Sequence, residues 1–244
     1  MKAVLSIAGF DTSGGAGIHA DVKTARSLGF HACSVITALT FQNTCEVSGV
    51  KILGEYVENQ LESVLEDVEF SAVKVGVVPD VRTARIIQSR FSHFKQPVVL
   101  DPVISSSTGY RLGSVRAYRE LMSICDVITP NVHEAEVLSR MKIKNMRSAK
   151  NAAKTISDGF SVVVTGINGR DVVYDAKKEE FHTIGRRFHS REVHGTGCVY
   201  STALACFLAE DMELYSACKK ARRFVIGAAR KSVEIGRCLP AVNP

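Results

Sequence analysis

Short apolar, β-branched runs alternate along this chain with segments whose apolar residues recur at helical spacing. Strands are predicted at Ala3–Gly9, Cys33–Thr40, Ser71–Val77, Pro97–Val103, Val127–Thr129 and Ser161–Thr165, each bounded by glycine, proline or polar residues. Helices are predicted between them. The clearest is Tyr56–Val68, where Val57, Leu61, Val64, Leu65 and Val68 form one stripe; Val81–Phe91 and Ala149–Asp158 follow the same rule. Alternation of this kind builds a parallel sheet covered on both faces by helices, because each strand then has two sides to bury. The expected class is α/β, a three-layer αβα sandwich with a mostly parallel central sheet. After Gly166 the pattern changes: Val172–Asp175 and Glu179–Ile184 read as an antiparallel hairpin around Ala176-Lys177-Lys178, and two long helices close the chain. No internal repeat, low-complexity tract or linker interrupts residues 1–244, so a single domain is expected.

Composition narrows the class without changing it. Hydrophobic residues make up 45% and charged residues 23%, the balance of a soluble globular protein. No apolar run reaches the roughly 18 residues of a membrane span, and Met1-Lys2 leads into the first strand without the layout of a signal peptide. The seven cysteines are scattered, with no CxxC pair, which argues against a zinc site or a disulfide framework and for reduced thiols in the cytoplasm. Much of the net charge of +6 lies between Lys219 and Arg237, where Lys219, Lys220, Arg222, Arg223, Arg230 and Lys231 share a helix with Phe224, Val225 and Ile226. With no nucleic-acid-binding signature beside it, that stretch reads as a solvated helix face; neither nucleic acid nor membrane is an expected partner.

Candidate chemistry concentrates where strands end. His194-Gly195-Thr196-Gly197-Cys198 opens a run of small and apolar residues, Tyr200 to Ala209, that reads as a helix. Glycines let successive amides converge on one point, the helix N-terminus favours an anion there, and the same field favours thiolate over thiol at Cys198. An ordinary helix entry with a buried cysteine has the same sequence. The earlier loop Gly9–Gly17 fits neither of two familiar patterns. A P-loop needs Lys-Ser/Thr after its second spaced glycine, whereas Gly14 is followed by Gly15-Ala16. Gly15–Ala20 matches GxGxxA but begins six residues beyond the strand, with no acidic residue at the end of the second strand. What remains is a loop that lets backbone approach a small flat ligand, with Asp21 one helical turn on. Gln42-Asn43-Thr44, Asp101 and Asn131–Glu134 also fall at strand ends, where open α/β sheets gather ligands. Asn131-x-x-Glu134 fits a capping box and a metal–phosphate site, which are compatible, and the metal–phosphate role is the favoured reading for Glu134.

These pieces resemble one family in order. Gly9–Gly17 with Ile18–Lys23, Ser34–Leu39, Gln42-Asn43-Thr44, Lys74-Val75-Gly76, Leu100–Val103, Thr129-Pro130-Asn131 with Glu134-Ala135, and His194–Cys198 are similar to the landmarks of hydroxymethylpyrimidine and phosphomethylpyrimidine kinases of thiamine biosynthesis, which have the ribokinase-like fold. The resemblance implies a pyrimidine pocket of Gly9, Asp21, Thr40, Gln42, Val77, Val103 and Cys198. Gln42 would answer both donors and acceptors of an aminopyrimidine, and Asp21 would accept from its amino group. It implies ATP as phosphoryl donor, held by Asn131, Glu134, Thr165, Thr196 and Gly197, with Mg2+ on Asp101 and Glu134. The amides of Gly195, Gly197 and Cys198 would form an anion hole, and Cys198 stands where sugar kinases of this fold carry an aspartate base. It also implies a homodimer. The chain departs from the bacterial pattern at Val164-Thr165-Gly166 and Ser107-Thr108-Gly109, each lacking a lysine near the phosphates; Arg111 is the candidate replacement for one of them. A pyridoxal kinase of the same fold and a non-catalytic pyrimidine-binding regulator are the rival readings.

Overall fold

A computed structural model describes residues 1–185 and 192–244. A nine-stranded sheet runs through them in the order β3-β2-β1-β4-β5-β6-β7-β8-β9. Its parallel centre comprises β2 (His31–Gln42), β1 (Ala3–Asp11), β4 (Ala72–Val75), β5 (Val98–Leu100), β6 (Val127–Ile128) and β7 (Ser161–Ile167). Antiparallel strands extend both flanks: β3 (Val47–Ile52) beside β2, and the hairpin β8 (Arg170–Asp175) and β9 (Glu180–Ile184) beside β7.

Two apolar layers sandwich this sheet because successive strand residues face opposite sides. Leu5 and Ile7 of β1, Val73 and Val75 of β4, Val98 and Leu100 of β5, and Val162 and Val164 of β7 share one core. The facing helices α2 (Gly54–Leu65), α3 (Val81–Phe91), α4 (Val115–Leu121), α5 (Val132–Ser139) and α6 (Met146–Ile156) supply its other half. The intervening Val4, Ala72, Val99 and Val163 belong to the opposite core, with α1 (Gly17–Ser27), α7 (Thr196–Leu208) and α8 (Leu214–Arg230). Each such valine or leucine contributes roughly 1.5–3 kcal/mol by leaving water. The α/β class, the hairpin and the two closing helices therefore stand as the sequence predicts, and α3 keeps the expected bounds. The strands β3 and the short helix α4 were not expected. β3 pairs on one side only and carries Gly49 and the exposed Ile52, so its pattern does not alternate cleanly.

One sequence expectation fails outright. Cys45 and Cys238 form a disulfide across 193 residues, while Cys33, Cys125, Cys198, Cys206 and Cys218 are free. No local spacing announces this pair, because the fold alone brings the turn after β2 against the C-terminal segment. There the Leu239 amide donates to the Thr44 carbonyl at 3.2 Å, and the Cys238 amide to Thr44 Oγ1 at 3.4 Å. Among the described residues no helix is long and apolar enough to cross a membrane.

Candidate active site

The first glycine loop closes on itself and meets the second because glycines stand at the contacts. Gly17 (φ 55°) begins α1 where a Cβ would strike the Gly9 carbonyl, and Gly195 (φ 90°) caps α7 where a Cβ would strike the carbonyl of Gly15. Positive φ and close approach thus coincide at both positions. The joined loops roof a cavity of about 850 Å³ at the C-terminal ends of the central strands, a size suited to small-molecule and cofactor binding. Gln42, from the end of β2, and Cys198, from the first turn of α7, line the same space.

Gly9, Thr40, Val77 and Val103 line the cavity together with Gln42 and Cys198. Gln42 is held on two sides. Its Nε2 lies 2.9 Å from His194 Nε2, and its Oε1 lies 3.4 Å from Thr40 Oγ1. Asp101, Asn131, Glu134, Thr165, Gly195, Thr196 and Gly197 line the remainder. The first amides of α7 have no acceptor within their own helix, so this end of the cavity favours an anion.

The two carboxylates are strained electrostatically. Burial pushes Asp101 above the usual carboxylate range, although Lys74 and a 3.0 Å bond from the Ser201 hydroxyl oppose it. Burial, reinforced by the charge of Asp101, raises Glu134 to about 8. Glu134 also completes a capping box: the Asn131 side chain accepts from the Glu134 amide at 2.9 Å, and Glu134 Oε2 accepts from the Asn131 amide at 2.9 Å. Its other oxygen accepts from the Ile104 amide at 3.3 Å. The helix-capping role anticipated for this pair is therefore real, and it aims Glu134 into the cavity.

Two residues do not behave as expected. Asp21 is fully buried and does not line the cavity. Its carboxylate accepts from Lys74 Nζ at 2.9 Å, Ser6 Oγ at 2.5 Å and Thr202 Oγ1 at 2.7 Å, leaving it no share in a ligand's amino group. Asp21 instead ties α1, β1, β4 and α7 together beneath the site. The thiol of Cys198 is not favoured as thiolate either. Burial pushes it up to about 12, with Asp101 and Asp21 adding to the rise and Lys74 opposing it. Desolvation and two carboxylates thus act against the helix field that the sequence made visible.

With this geometry in place, the match to known proteins is specific. The sequence profile described as phosphomethylpyrimidine kinase matches residues 11–243. The chain belongs to that family. It is 38% identical to the chloroplastic thiamine biosynthetic bifunctional enzyme of Arabidopsis thaliana over 95% of this chain and 47% of that protein. It is 36% identical to the hydroxymethylpyrimidine/phosphomethylpyrimidine kinase of Aquifex aeolicus over 96% of each chain. The chain thus spans about half the length of the plant relative and nearly all of the bacterial one. Among solved structures, the ADP complex of Bacillus subtilis pyridoxal kinase superposes with a TM-score of 0.87 at 27% identity, covering 100% of this chain and 97% of that one. The phosphomethylpyrimidine kinase family and the ribokinase-like fold are both established by these likenesses.

Three further residues of this family member matter to the cavity. Arg222 of α8 lines it, pairing with Asp171 at 2.7 Å, and the exposed Arg230 borders it as well, whereas Lys219, Lys220, Arg223 and Lys231 are exposed away from it, as expected of a solvated face. Arg111 is exposed and does not line the cavity, so it is no substitute for a phosphate lysine. Asp11 and His194 are buried at the junction of the two glycine loops, 3.0 Å apart. Their position inside glycine-rich motifs was visible in the sequence; their pairing across 183 residues was not.

Proposed function

We propose that this protein transfers the γ-phosphoryl group of ATP to the hydroxymethyl oxygen of 4-amino-5-hydroxymethyl-2-methylpyrimidine, releasing ADP and a proton, and then phosphorylates the monophosphate to the diphosphate. The observation that carries this reading is that one cavity is lined both by Gln42, Val77 and Val103 and by the residues that begin α7. Transfers of this kind proceed through a loose transition state and depend on positioning and charge stabilisation. Gln42 and the two valines orient the ring, and the amides of Gly195, Gly197 and Cys198 face the moving charge. Asn131, Thr165 and Thr196 flank the nucleotide side. Cys198, protonated, is a lining group rather than the base.

Asp101 and Glu134 suit Mg2+, since two buried carboxylates, each raised by burial and Glu134 further by the charge of Asp101, are stabilised by a divalent cation, and magnesium completes its shell with water and phosphate oxygens. When bound, the ion would neutralise phosphate charge. The same reading carries a single-domain homodimer; Phe41, Ile52 and Tyr56 stand about half exposed around the edge strand β3. A cytoplasmic location belongs to it as well, and there the Cys45–Cys238 bond would face a reducing pool.

The likeness to a pyridoxal kinase structure supports one alternative substrate, and direct competition decides between them. ATP-dependent turnover of the aminopyrimidine and of pyridoxal should favour the pyrimidine in kcat/KM. A preference for pyridoxal of more than about tenfold overturns the assignment, and no ATP consumption with either leaves only a binding protein.

A further inference from the structure

Asp11, His194 and Gln42 come from three separate segments and meet beside the ring pocket, with Ser107 closing the group from a fourth. His194 Nε2 lies 3.0 Å from Asp11 Oδ2 and 2.9 Å from Gln42 Nε2, and its Nδ1 lies 3.1 Å from Ser107 Oγ. The Asp11 carboxylate also accepts from the amides of Ser13 and Ala16, each at 2.8 Å, and from the Ser13 hydroxyl. Burial works to raise the Asp11 carboxyl, but the bonds from His194 and Ser13 outweigh it and hold the group below its ordinary value. An ionised carboxylate offers only lone pairs, so the proton shared with His194 sits on Nε2.

That proton has a consequence for Gln42. An amide NH2 placed against Nε2–H sets donor against donor. At the other end of the amide the same conflict arises in reverse. Thr40 has a single hydroxyl proton, and its bond to the Phe10 carbonyl at 3.0 Å is shorter than its 3.4 Å approach to Gln42. Thr40 therefore turns lone pairs, not a proton, toward the amide. Both neighbours call for the same end-for-end placement, which is decided by the network because the two ends of an amide are nearly identical in size. The Gln42 oxygen then shares the single His194 Nε2–H with Asp11, one amide N–H donates to Thr40 Oγ1, and the second N–H is left for the cavity that Gln42 lines.

We propose that His194, kept in its Nε2–H form by Asp11, is a positioning residue that locks Gln42 as a hydrogen-bond donor toward the bound ring, so that the pocket selects a heterocycle with an unprotonated ring nitrogen. The identity of the ring rests on the pyrimidine-kinase reading; the placement of the proton and of the amide does not. A ring carrying N–H at that point meets Gln42 as donor against donor, the kind of buried mismatch that discriminates strongly between similar ligands.

Two measurements test this separately. Long-range 1H–15N correlation spectra of the 15N-labelled, ligand-free protein should show His194 protonated at Nε2; a proton on Nδ1 alone overturns the proposal without any reference to substrate. Turnover is then compared for 4-amino-5-hydroxymethyl-2-methylpyrimidine and its two deaza analogues, each with CH in place of one ring nitrogen. The wild-type protein should disfavour the poorer analogue by at least about tenfold in kcat/KM. His194→Leu should compress that ratio to within about threefold, whereas His194→Gln, which retains an N–H for Asp11, should keep it. An unchanged ratio in His194→Leu overturns the positioning role, and if that variant does not fold the spectrum of the wild-type protein still decides. Failure of the wild-type protein to phosphorylate any of the three would sink the functional reading and leave the histidine assignment standing on its own test.

Discussion

Lys74 Nζ and Asp21 Oδ2 lie 2.9 Å apart, with almost no solvent access to either side chain. Burial alone would pull the ammonium toward neutrality, but the charge of Asp21, with that of Asp101 behind it, lifts Lys74 above its ordinary value. The pair occupies the floor under the cavity and joins the first helix to the central strands. Its charge is committed to the fold.

Removing one partner should therefore show up as lost stability rather than lost ligand affinity. Asp21→Asn is expected to cost about 3–5 kcal/mol in urea unfolding, as breaking a buried ion pair does. Gln42→Met, by contrast, should weaken pyrimidine binding by about 1–3 kcal/mol with little change in the unfolding midpoint. If Asp21→Asn leaves stability intact and raises only the KM, the carboxylate contacts substrate after all.

The reading of Cys198 as a lining group makes a kinetic prediction. With its thiol pushed up to about 12, Cys198→Ala should lower kcat by less than about tenfold and leave the pH–rate profile between pH 6 and 9 without a missing limb. A drop beyond about a hundredfold, together with loss of a basic limb, would restore the thiol as proton acceptor.

The Cys45–Cys238 bond closes nearly the whole chain into a loop. Cys238→Ser should lower the unfolding free energy by about 2–4 kcal/mol under oxidising conditions. Reductant should bring the wild-type protein to the variant's stability and leave the variant unmoved. Peptide mapping without reductant should recover the linked Cys45 and Cys238 peptides; their absence removes the bond from the native protein.

Glu134 links stability to pH. Its folded-state carboxyl, raised to about 8 from an ordinary 4.5, binds a proton more tightly than the unfolded chain does. Its contribution is thus fully present below the ordinary value and fades as pH rises through about 8. The ligand-free protein should lose a few kcal/mol between pH 5 and 8 on this account, read as a falling urea midpoint. Glu134→Gln, which can keep the capping box, should flatten that slope.

The elements that sequence makes legible are those whose signal is local. The stripe of Val57, Leu61, Val64 and Leu65 specifies a helix by spacing alone, and the run Ala3–Gly9 specifies a doubly buried strand. The strand β3 and helix α4 escaped because one is half-exposed and the other is only about two turns long, too brief for periodicity to register. The same division holds in the site. Gln42, Asp101, Glu134 and the Gly195–Cys198 loop could be placed on a common rim because strand ends converge in any parallel sheet.

What the sequence by itself determined is the class of the sheet, the two glycine loops and the family whose landmarks they carry. Tertiary structure alone decided that Asp21 faces Lys74 rather than a ligand, that burial pushes the Cys198 thiol up, that Cys45 finds Cys238, and that His194 stands between Asp11 and Gln42. The physical reason is common to all four. Periodicity and motif are properties of neighbouring residues, whereas desolvation and pairing depend on what the folded chain brings within a few ångströms from far along its length.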